Sequence, residues 1–402
     1  MSLSGLASAN TLCVNTSGSG GCYKKIQDAV TAAAAGDTVR VAPGTYSEDV
    51  VISKSLYLTG NNPQNTIVNA KGLNNGVYVD GLDNSGLTNV SVSGFTLENA
   101  NFEGLLVTNA SFVTVFNNQA INNDAAIDVN TGTCPGIPSF ETNEGFDCGE
   151  GLHLLGADHS MVTNNLVQSN AGGILISDDT AGVHDNLVSN NIVKNNSLDC
   201  GITLASHSAF NNATPYGVFH NTITGNQSVA NGLTSGEGAG VGLFASVPSA
   251  ATFGNIVVNN KITGNALPGV AMHSHTPGQN LNDNVIVGNI ISNNGADTDD
   301  AATPGTTGIN VFGVSAVTGT VIAQNTIRDE HDAVVANTPA PVNPHLNNFF
   351  ADFGVENIGS GTVDATNNFW GCPTGPGTAN CGKTSGTVSV VPFLHNPFLM
   401  QQ

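Results

Sequence analysis

A repeated unit runs through the sequence from about residue 87 to residue 337. Each unit holds an Asn before a short apolar segment, then a turn, then a Gly followed by alternating apolar residues. The Asn positions are Asn118, Asn165, Asn191, Asn221, Asn260, Asn289 and Asn325, and the Gly segments begin at Gly151, Gly173, Gly201, Gly240, Gly269 and Gly308. Alternation with period 2 between Asn/Gly turns predicts short β-strands. One unit cannot bury its apolar face alone, so stacked units must share a continuous core, as in a solenoid.

The length of the unit favours a parallel β-helix over other repeat folds. Units of roughly 22–30 residues with short strands are too short for a propeller blade, which needs about 40–45 residues. We expect the Asn residues to be structural and to stack as a hydrogen-bonded ladder inside a turn. Longer intervals between units predict insertions that bulge from the coils at 122–150, 226–239 and 293–307.

The two ends of the chain carry the signals of solenoid caps. Residues 24–35 form the one clear helical pattern, with Ile26, Ala29, Val30 and Ala33 on one face and Gly36 behind it. A solenoid needs a cover over its exposed apolar end, so this helix is predicted to be the N-terminal cap. We expect one β-helix domain over 1–402, with the cap and first coils at 13–60, coils with insertions at 61–360, and a C-terminal cap at 361–402.

The charge of the chain limits its partners. Nine basic and 30 acidic residues give a net charge of −21. So few Lys and Arg residues cannot neutralise many phosphates, so nucleic acid is not expected as a partner. No apolar run approaches the roughly 20 residues that span a bilayer, so no membrane partner is expected either. The same shortage disfavours a polyanionic ligand unless Ca²⁺ bridges it. We expect a monomer.

Six of the seven cysteines fall into pairs that each enclose a short loop. The pairs are Cys13 with Cys22, Cys134 with Cys148, and Cys372 with Cys381. Such spacing predicts local disulfides, and disulfides indicate a secreted or periplasmic protein. Met1-Ser2-Leu3 does not begin a signal peptide, so we expect that a leader has been removed. The remaining Cys200 is predicted to be buried and inert, since no basic residue adjoins it.

Several segments resemble known β-helix proteins. Residues 26–30, 36–46, 50–54 and 58–60 resemble the start of pectin-lyase-like proteins, including pectin methylesterases, and the coils from 87 to 337 resemble NosD-type carbohydrate-binding and sugar-hydrolase repeats. The resemblance implies an all-β, single-stranded right-handed parallel β-helix with a polysaccharide as partner. It does not fix the reaction, because that superfamily includes lyases, hydrolases, esterases, epimerases and non-catalytic members. The segment that begins at Asp199 resembles one catalytic piece of polygalacturonases, although Glu237 stands where their His would be.

Alignment of the strands by their glycines places polar residues in a column. The residues six positions after Gly173, Gly201 and Gly269 are Asp179, His207 and His275. Stacked coils are about 4.8 Å apart, so Asp179 and His207 are expected to touch, whereas His275 lies three coils away, roughly 14 Å from Asp179.

Further titratable residues surround this column. The insertion contributes Glu144, Asp147 and Glu150, and His153 is predicted to point outward by strand alternation. The catalytic candidates are therefore Asp179, His207, Asp178, His184, Asp185 and Asp199. The candidates for substrate binding are His153, Glu150, Phe244, His273 and His275. Asp178 and Asp185 are open to another interpretation as turn residues, and the run Asp297, Asp299 and Asp300 is predicted to be a solvated loop.

Carboxylates beside imidazoles suit acid–base chemistry at a sugar. The sequence thus favours an exported carbohydrate-active enzyme that cleaves a polysaccharide, as a lyase or glycoside hydrolase, or epimerises it, with Ca²⁺ as a possible cofactor. One alternative is a non-catalytic glycan-binding or surface structural protein. Another is a metal-handling role, in which His184, His207 or His275 would converge on one point. Convergence of Asp179 and His207 in a cleft walled by the 122–150 and 226–239 insertions would favour the enzyme.

Overall fold

The coils of the chain build three long parallel sheets. In the computed structural model, residues 9–143, 146–211, 214–298 and 301–399 are described. Sheet 1 consists of Thr11–Val14, Thr38–Val41, Tyr57–Gly60, Ser91–Ser93, Thr114–Phe116, Met161–Thr163, Leu187–Ser189, Thr222–Thr224, Ile256–Val258, Val285–Val287, Val321–Ala323 and Asn343–His345. Sheet 2 consists of Gly44–Tyr46, Thr66–Asn69, Thr96–Glu98, Gln119–Ile121, Leu166–Gln168, Ile192–Lys194, Gln227–Val229, Lys261–Thr263, Ile290–Ser292, Thr326–Arg328 and Asn348–Phe350.

Sheet 3 contains the Gly-apolar strands of the repeat. It consists of Val50–Ile52, Val77–Asp80, Leu105–Thr108, Glu150–Leu155, Gly172–Ser177, Ile202–Ser206, Val241–Ala245, Val270–Ser274, Thr307–Gly313, Asp332–Asn337, Phe353–Asn357 and Lys383–Ser385. Two smaller sheets consist of Val183–His184, Val218–Phe219 and Thr252–Phe253, and of Val363–Asp364 and Val388–Ser389. In each full coil the chain passes from sheet 3 to sheet 1 to sheet 2, and neighbouring coils pair in parallel register.

Alternate residues of every strand point into one continuous core. On three neighbouring strands of sheet 1, Val162 pairs with Val188, and Val188 pairs with Ile223. Each of these side chains is fully or almost fully buried. This period-2 burial is the reason that short apolar segments form strands here, because each coil extends a core that the previous coil began.

Asparagine ladders fill all three turns rather than the single turn expected. Between sheets 1 and 2 the ladder runs through Asn118, Asn165, Asn191, Asn226, Asn260, Asn289, Asn325, Asn347 and Asn368. Between sheets 2 and 3 it runs through Asn123, Asn170, Asn196, Asn231, Asn265 and Asn294. Asn221 belongs to a third ladder, with Asn186, Asn255 and Asn284. Its placement in the first ladder was wrong, because motifs from two different turns look alike in sequence.

The capping helix spans Ile26–Ala32 and is shorter than the predicted 24–35. Lys25 and Ala33 both have extended backbones, and the Asp37 carboxylate accepts a hydrogen bond from the Ala34 amide. Ile26, Ala29 and Val30 are buried, as the helical pattern predicts. At the other end Trp370 is fully buried and its ring lies 5.4 Å from that of Phe349.

The outward loops are narrower than the predicted insertions. Gln227–Val229 is a strand of sheet 2 and Asn231 is part of a ladder, so the 226–239 insertion leaves the coil only from 232 onward. Disulfides join Cys13 to Cys22, Cys134 to Cys148, and Cys372 to Cys381. Cys200 is buried, and burial raises the pKa of its thiol well above the usual value. Within the described residues, no helix has the length and apolar character needed to cross a membrane.

Candidate active site

The site is built on the outer face of sheet 3, beneath and beside the 122–150 insertion. Alternation places Leu152 and Leu154 in the core and turns His153 outward, as predicted. The insertion then folds back over this face, and Glu141 from it lies against His153. His153 is therefore only 2% exposed. The structure places this proposed substrate-binding residue beneath the 122–150 insertion and not on the accessible surface.

Asp179 and His207 lie on neighbouring coils and touch, as the glycine alignment predicts. The Asp179 Oδ2 atom is 3.4 Å from His207 Nδ1, and the other ring nitrogen of His207 is 2.9 Å from Asp147 Oδ2. Burial lowers the pKa of His207, but the charges of Asp179 and Asp147 outweigh it and raise the pKa well above the ordinary value. Burial alone would raise the pKa of Asp179, yet the His207 charge holds it below its usual range. The imidazolium is thus held between two carboxylates.

Asp179 also holds the 122–150 insertion against sheet 3. Its Oδ1 atom accepts hydrogen bonds from the Thr142 amide and hydroxyl, and its Oδ2 atom accepts one from Ser177. With these bonds and His207 as partners, Asp179 is 2% exposed. Both oxygens of this carboxylate are occupied inside the protein, so Asp179 holds other groups in place rather than facing solvent.

A cleft of about 560 Å³ opens beside this pair, between the three loops that leave the coils. It is lined by Asp147, Asp199, Ser235, Gly236, Glu237, Phe244, Leu267, His273, His275, Asp297 and Thr298. The structure thus brings together four predicted site residues: Asp199, Phe244, His273 and His275. Asp297 was expected in a solvated loop, but it is 1% exposed and its Oδ2 atom is 3.0 Å from His273 Nε2. The Asp297 amide also donates to Thr303 Oγ1, so the start of the loop is held against the coil.

Three carboxylates meet at the wall of the cleft. One oxygen each of Asp147, Glu150 and Asp199 lie within 4.8 Å of one another. Gly172 leaves room for them, since a Cβ atom there would stand 3.2 Å from Glu150 Oε1 and 3.3 Å from Asp199 Oδ2. Burial raises the pKa of Asp199 well above its ordinary value, and the Asp147 charge raises it further. Burial likewise raises the pKa of Glu150. Burial therefore favours the protonated forms of Asp199 and Glu150, which lie beside the more exposed Asp147.

Other predicted residues lie away from the cleft. Asp178 is buried and accepts hydrogen bonds from the backbone amides of His207 and Gly217, as expected of a turn residue. His184 and Asp185 lie on the surface with His159, and Asp185 has a left-handed backbone with φ of 56°. Glu144 lies outside the described residues.

The histidines do not form the predicted metal centre. Among the described groups that could bind a metal, none combines His184, His207 and His275. His184 is on the surface, His207 is held between Asp147 and Asp179, and the His275 ring packs against those of His273 and Phe312. They lie on different coils and point to different surroundings, so they do not meet at the common point that the metal-handling alternative requires.

Glu103 and Glu141 were not identified from the sequence. Glu103 precedes Gly104 as Glu150 precedes Gly151, and Leu105 pairs with Leu152, so an alignment one residue before each glycine would have found it. Glu141, like Asp147, is in the insertion, where no repeat register assigns a residue to a coil.

Comparison with known proteins supports the architecture. Residues 75–246 match the family model described as a right-handed β-helix region. No curated protein matches the sequence. The solved catalytic domain of a GH87 alpha-1,3-glucanase in complex with tetrasaccharides is similar at 12% identity and a TM-score of 0.58, covering 95% of this chain and 66% of that one. DFA-IIIase from Arthrobacter chlorophenolicus without its lid, in complex with GF2, is similar at 12% identity and a TM-score of 0.56. That match covers 96% of this chain and 100% of the other.

A third similar structure is ORF18 of Geobacillus virus E2, at 14% identity and a TM-score of 0.52. The match covers 84% of this chain but only 57% of that protein, so this chain spans little more than half of its length. At such identities the likeness concerns the fold, and the pectin-lyase-like and NosD-type resemblances stay predictions. The three stacked parallel sheets, together with the match over residues 75–246, show that the fold of this chain is a right-handed parallel β-helix.

Proposed function

We propose that this protein is an exported glycoside hydrolase that cleaves a neutral polysaccharide in the cleft beside Asp199. One observation carries the proposal: the buried carboxyl group of Asp199, whose pKa is raised by burial, lies within 4.8 Å of Asp147, a second and more exposed carboxyl group. Glycosidases use such a pair, in which one acid protonates the leaving oxygen and the other acts as base or nucleophile.

The surroundings of the pair assign a role to each neighbour. Asp199 is the general acid, and Asp147 is the second carboxylate of the reaction. His207 positions Asp147 by its 2.9 Å contact, and Asp179 positions His207 in turn. Phe244 offers an aromatic surface for a sugar ring, and His273 and His275 line the cleft beside it.

The composition of the cleft favours a neutral glycan over a uronate. No Arg or Lys is present among the described residues that line it, while Asp147, Asp199, Glu237 and Asp297 are all acidic. A polyuronate would meet repulsion there unless a cation bridged the two. One of the similar structures, the glucanase domain, is bound to tetrasaccharides, which supports the substrate class but not the linkage.

The test is a panel of neutral glycans and polyuronates, assayed with and without Ca²⁺ for new reducing ends and for the absorbance of unsaturated uronates. We expect reducing ends without unsaturation from a neutral glycan. Asp199→Asn is expected to lower kcat by about 10²–10⁴-fold, the usual contribution of general acid catalysis. Asp147→Asn is expected to lower kcat by a factor in the same range.

The matched control is Asp185→Asn, the same chemical change on the surface, where the left-handed backbone accepts Asn readily. It is expected to keep wild-type activity. Unsaturated products would replace the hydrolase with a lyase. Binding of a glycan without any cleavage, unchanged in Asp199→Asn, would favour the glycan-binding alternative.

A further inference from the structure

A second group of titratable residues lies beneath the 122–150 insertion, apart from the cleft. It consists of His153 on sheet 3, Glu103 on the preceding coil, and Glu141 from the insertion. Their exposures are 2%, 0% and 7%. Within the described chain, no hydrogen bond reaches either carboxylate oxygen of Glu103 or Glu141, nor His153 Nδ1. Buried polar atoms are normally paired, so a group of five such atoms in one place requires an explanation.

The distances within the group are too long for hydrogen bonds but suit a shared ligand. His153 Nδ1 is 3.6 Å from Glu141 Oε2 and 3.9 Å from Glu103 Oε1, and all three ligating atoms lie within 4.8 Å of one another. Ligands at about 2.1 Å from a tetrahedral Zn²⁺ stand roughly 3.4 Å apart. The two distances from His153 Nδ1 are close to that value, so small movements of the two flexible Glu side chains would bring three ligand atoms to tetrahedral positions around one ion.

The hydrogen bonds around His153 determine which ring nitrogen can bind a metal ion. Its Nε2 atom is 2.9 Å from Ser177 Oγ, and the Ser177 hydroxyl donates to Asp179. Ser177 therefore accepts from Nε2–H, which leaves Nδ1 turned toward the two carboxylates. A metal-binding histidine characteristically donates its other N–H to a neighbouring polar group, which fixes the ring and its tautomer.

A divalent cation between the three side chains would supply partners for the unpaired carboxylate oxygens and for His153 Nδ1. We propose that Glu103, Glu141 and His153 form a structural site for a divalent transition-metal cation of the Zn²⁺ type, which ties the insertion to the β-helix. The site does not depend on the proposed hydrolase activity.

The experiment measures metal content and not activity. The purified full chain is dialysed against a chelator, given one equivalent of Zn²⁺, passed through a desalting column and analysed for zinc per chain. The affinity follows from competition with a chromophoric chelator. We expect one Zn²⁺ per wild-type chain, and a loss of affinity of more than about 100-fold in Glu103→Gln/Glu141→Gln, since even outer-shell partners contribute about 10–100-fold.

Two controls separate this site from other acidic groups. His184→Gln alters the surface group of His159, His184 and Asp185, and Glu150→Gln alters the carboxylates beside the cleft. Both are expected to keep one tightly bound Zn²⁺. Wild-type protein that retains no zinc, or a double variant that retains as much as wild type, would overturn the proposal. Loss of zinc in His184→Gln alone would place the ion on the surface and would overturn it equally.

A thermal readout covers the case in which the double variant folds poorly. Zn²⁺ is expected to raise the Tm of the wild type, because a ligand that binds only the native state stabilises it. The single variant Glu141→Gln keeps the shape of the side chain and is expected to lose this rise. An equal rise in wild type and Glu141→Gln would contradict the proposal.

Discussion

At the scale of single residues, the glycine alignment located a contact but not its surroundings. Asp179 and His207 touch because equal distances from aligned glycines put them on adjacent coils. The third member, Asp147, could not be placed, since the insertion that holds it has no register with the repeat. A role at the reacting bond was therefore assigned to a buried pair, whereas the carboxylates that line the cleft include Asp147 and Asp199.

The buried pair leads to a prediction about stability. Asp179→Asn leaves the His207 imidazolium with only one carboxylate and weakens the bonds that hold Thr142. Loss of one member of a buried ion pair typically costs about 3–5 kcal/mol, so we expect the free energy of unfolding in urea to fall by about 3 kcal/mol. Asp185→Asn on the surface is the control and is expected to be unchanged. A stable Asp179→Asn protein that has lost only its activity would instead support a direct catalytic role.

At the scale of elements, strands were predictable and loops were not. The strand that begins at Gly173 was recognised because burial with period 2 is local in sequence. Asn221 was assigned to the wrong ladder because its motif resembles that of another turn, and only coil stacking distinguishes them. The Asp297 carboxylate lies against His273, which is 24 residues away in sequence, so no local pattern could indicate this contact.

The ladders predict a difference between buried and exposed asparagines. Asn260 Oδ1 accepts from the Asn226 amide, and its Nδ2 group donates to the Ile223 carbonyl and to Asn289. Asn260→Ala would leave these buried groups without partners, at about 1–3 kcal/mol for each unmade bond. We expect the free energy of unfolding to fall by roughly 2–4 kcal/mol.

The control for the ladder is Asn74→Ala. Asn74 is exposed and has no left-handed backbone, so the change is expected to stay within about 0.5 kcal/mol. Chemical unfolding curves of the three proteins provide the comparison. If both variants lost equally little stability, the ladder would contribute no more than surface asparagines do.

At the scale of the whole molecule, buried acids set the dependence of stability on pH. Burial raises the pKa of Asp49 to about 6 and that of Glu330 to about 7, and raises those of Asp199 and Glu150 as well. The native state then binds more protons than the unfolded state at mildly acidic pH, so stability falls as pH rises through this range. His207 adds to the fall, since its raised pKa gives stability that is lost toward alkaline pH. Asp179, with a lowered pKa, loses its contribution only in strong acid.

Glu330 allows this conclusion to be tested with one substitution. Its Oε1 atom accepts from the Asn294 amide and side chain at the end of a ladder, and Gln keeps that acceptor. Between the ordinary Glu pKa of 4.5 and the native value of about 7, Glu330 contributes a slope of about −1.4 kcal/mol per pH unit to the free energy of unfolding. Urea unfolding of wild type and Glu330→Gln at pH 5, 6, 7 and 8 is expected to show a shallower decline for the variant, with the gap constant above pH 7. Parallel curves would mean that Glu330 is ionised in the folded protein, and that the network around Asn294 accepts its charge.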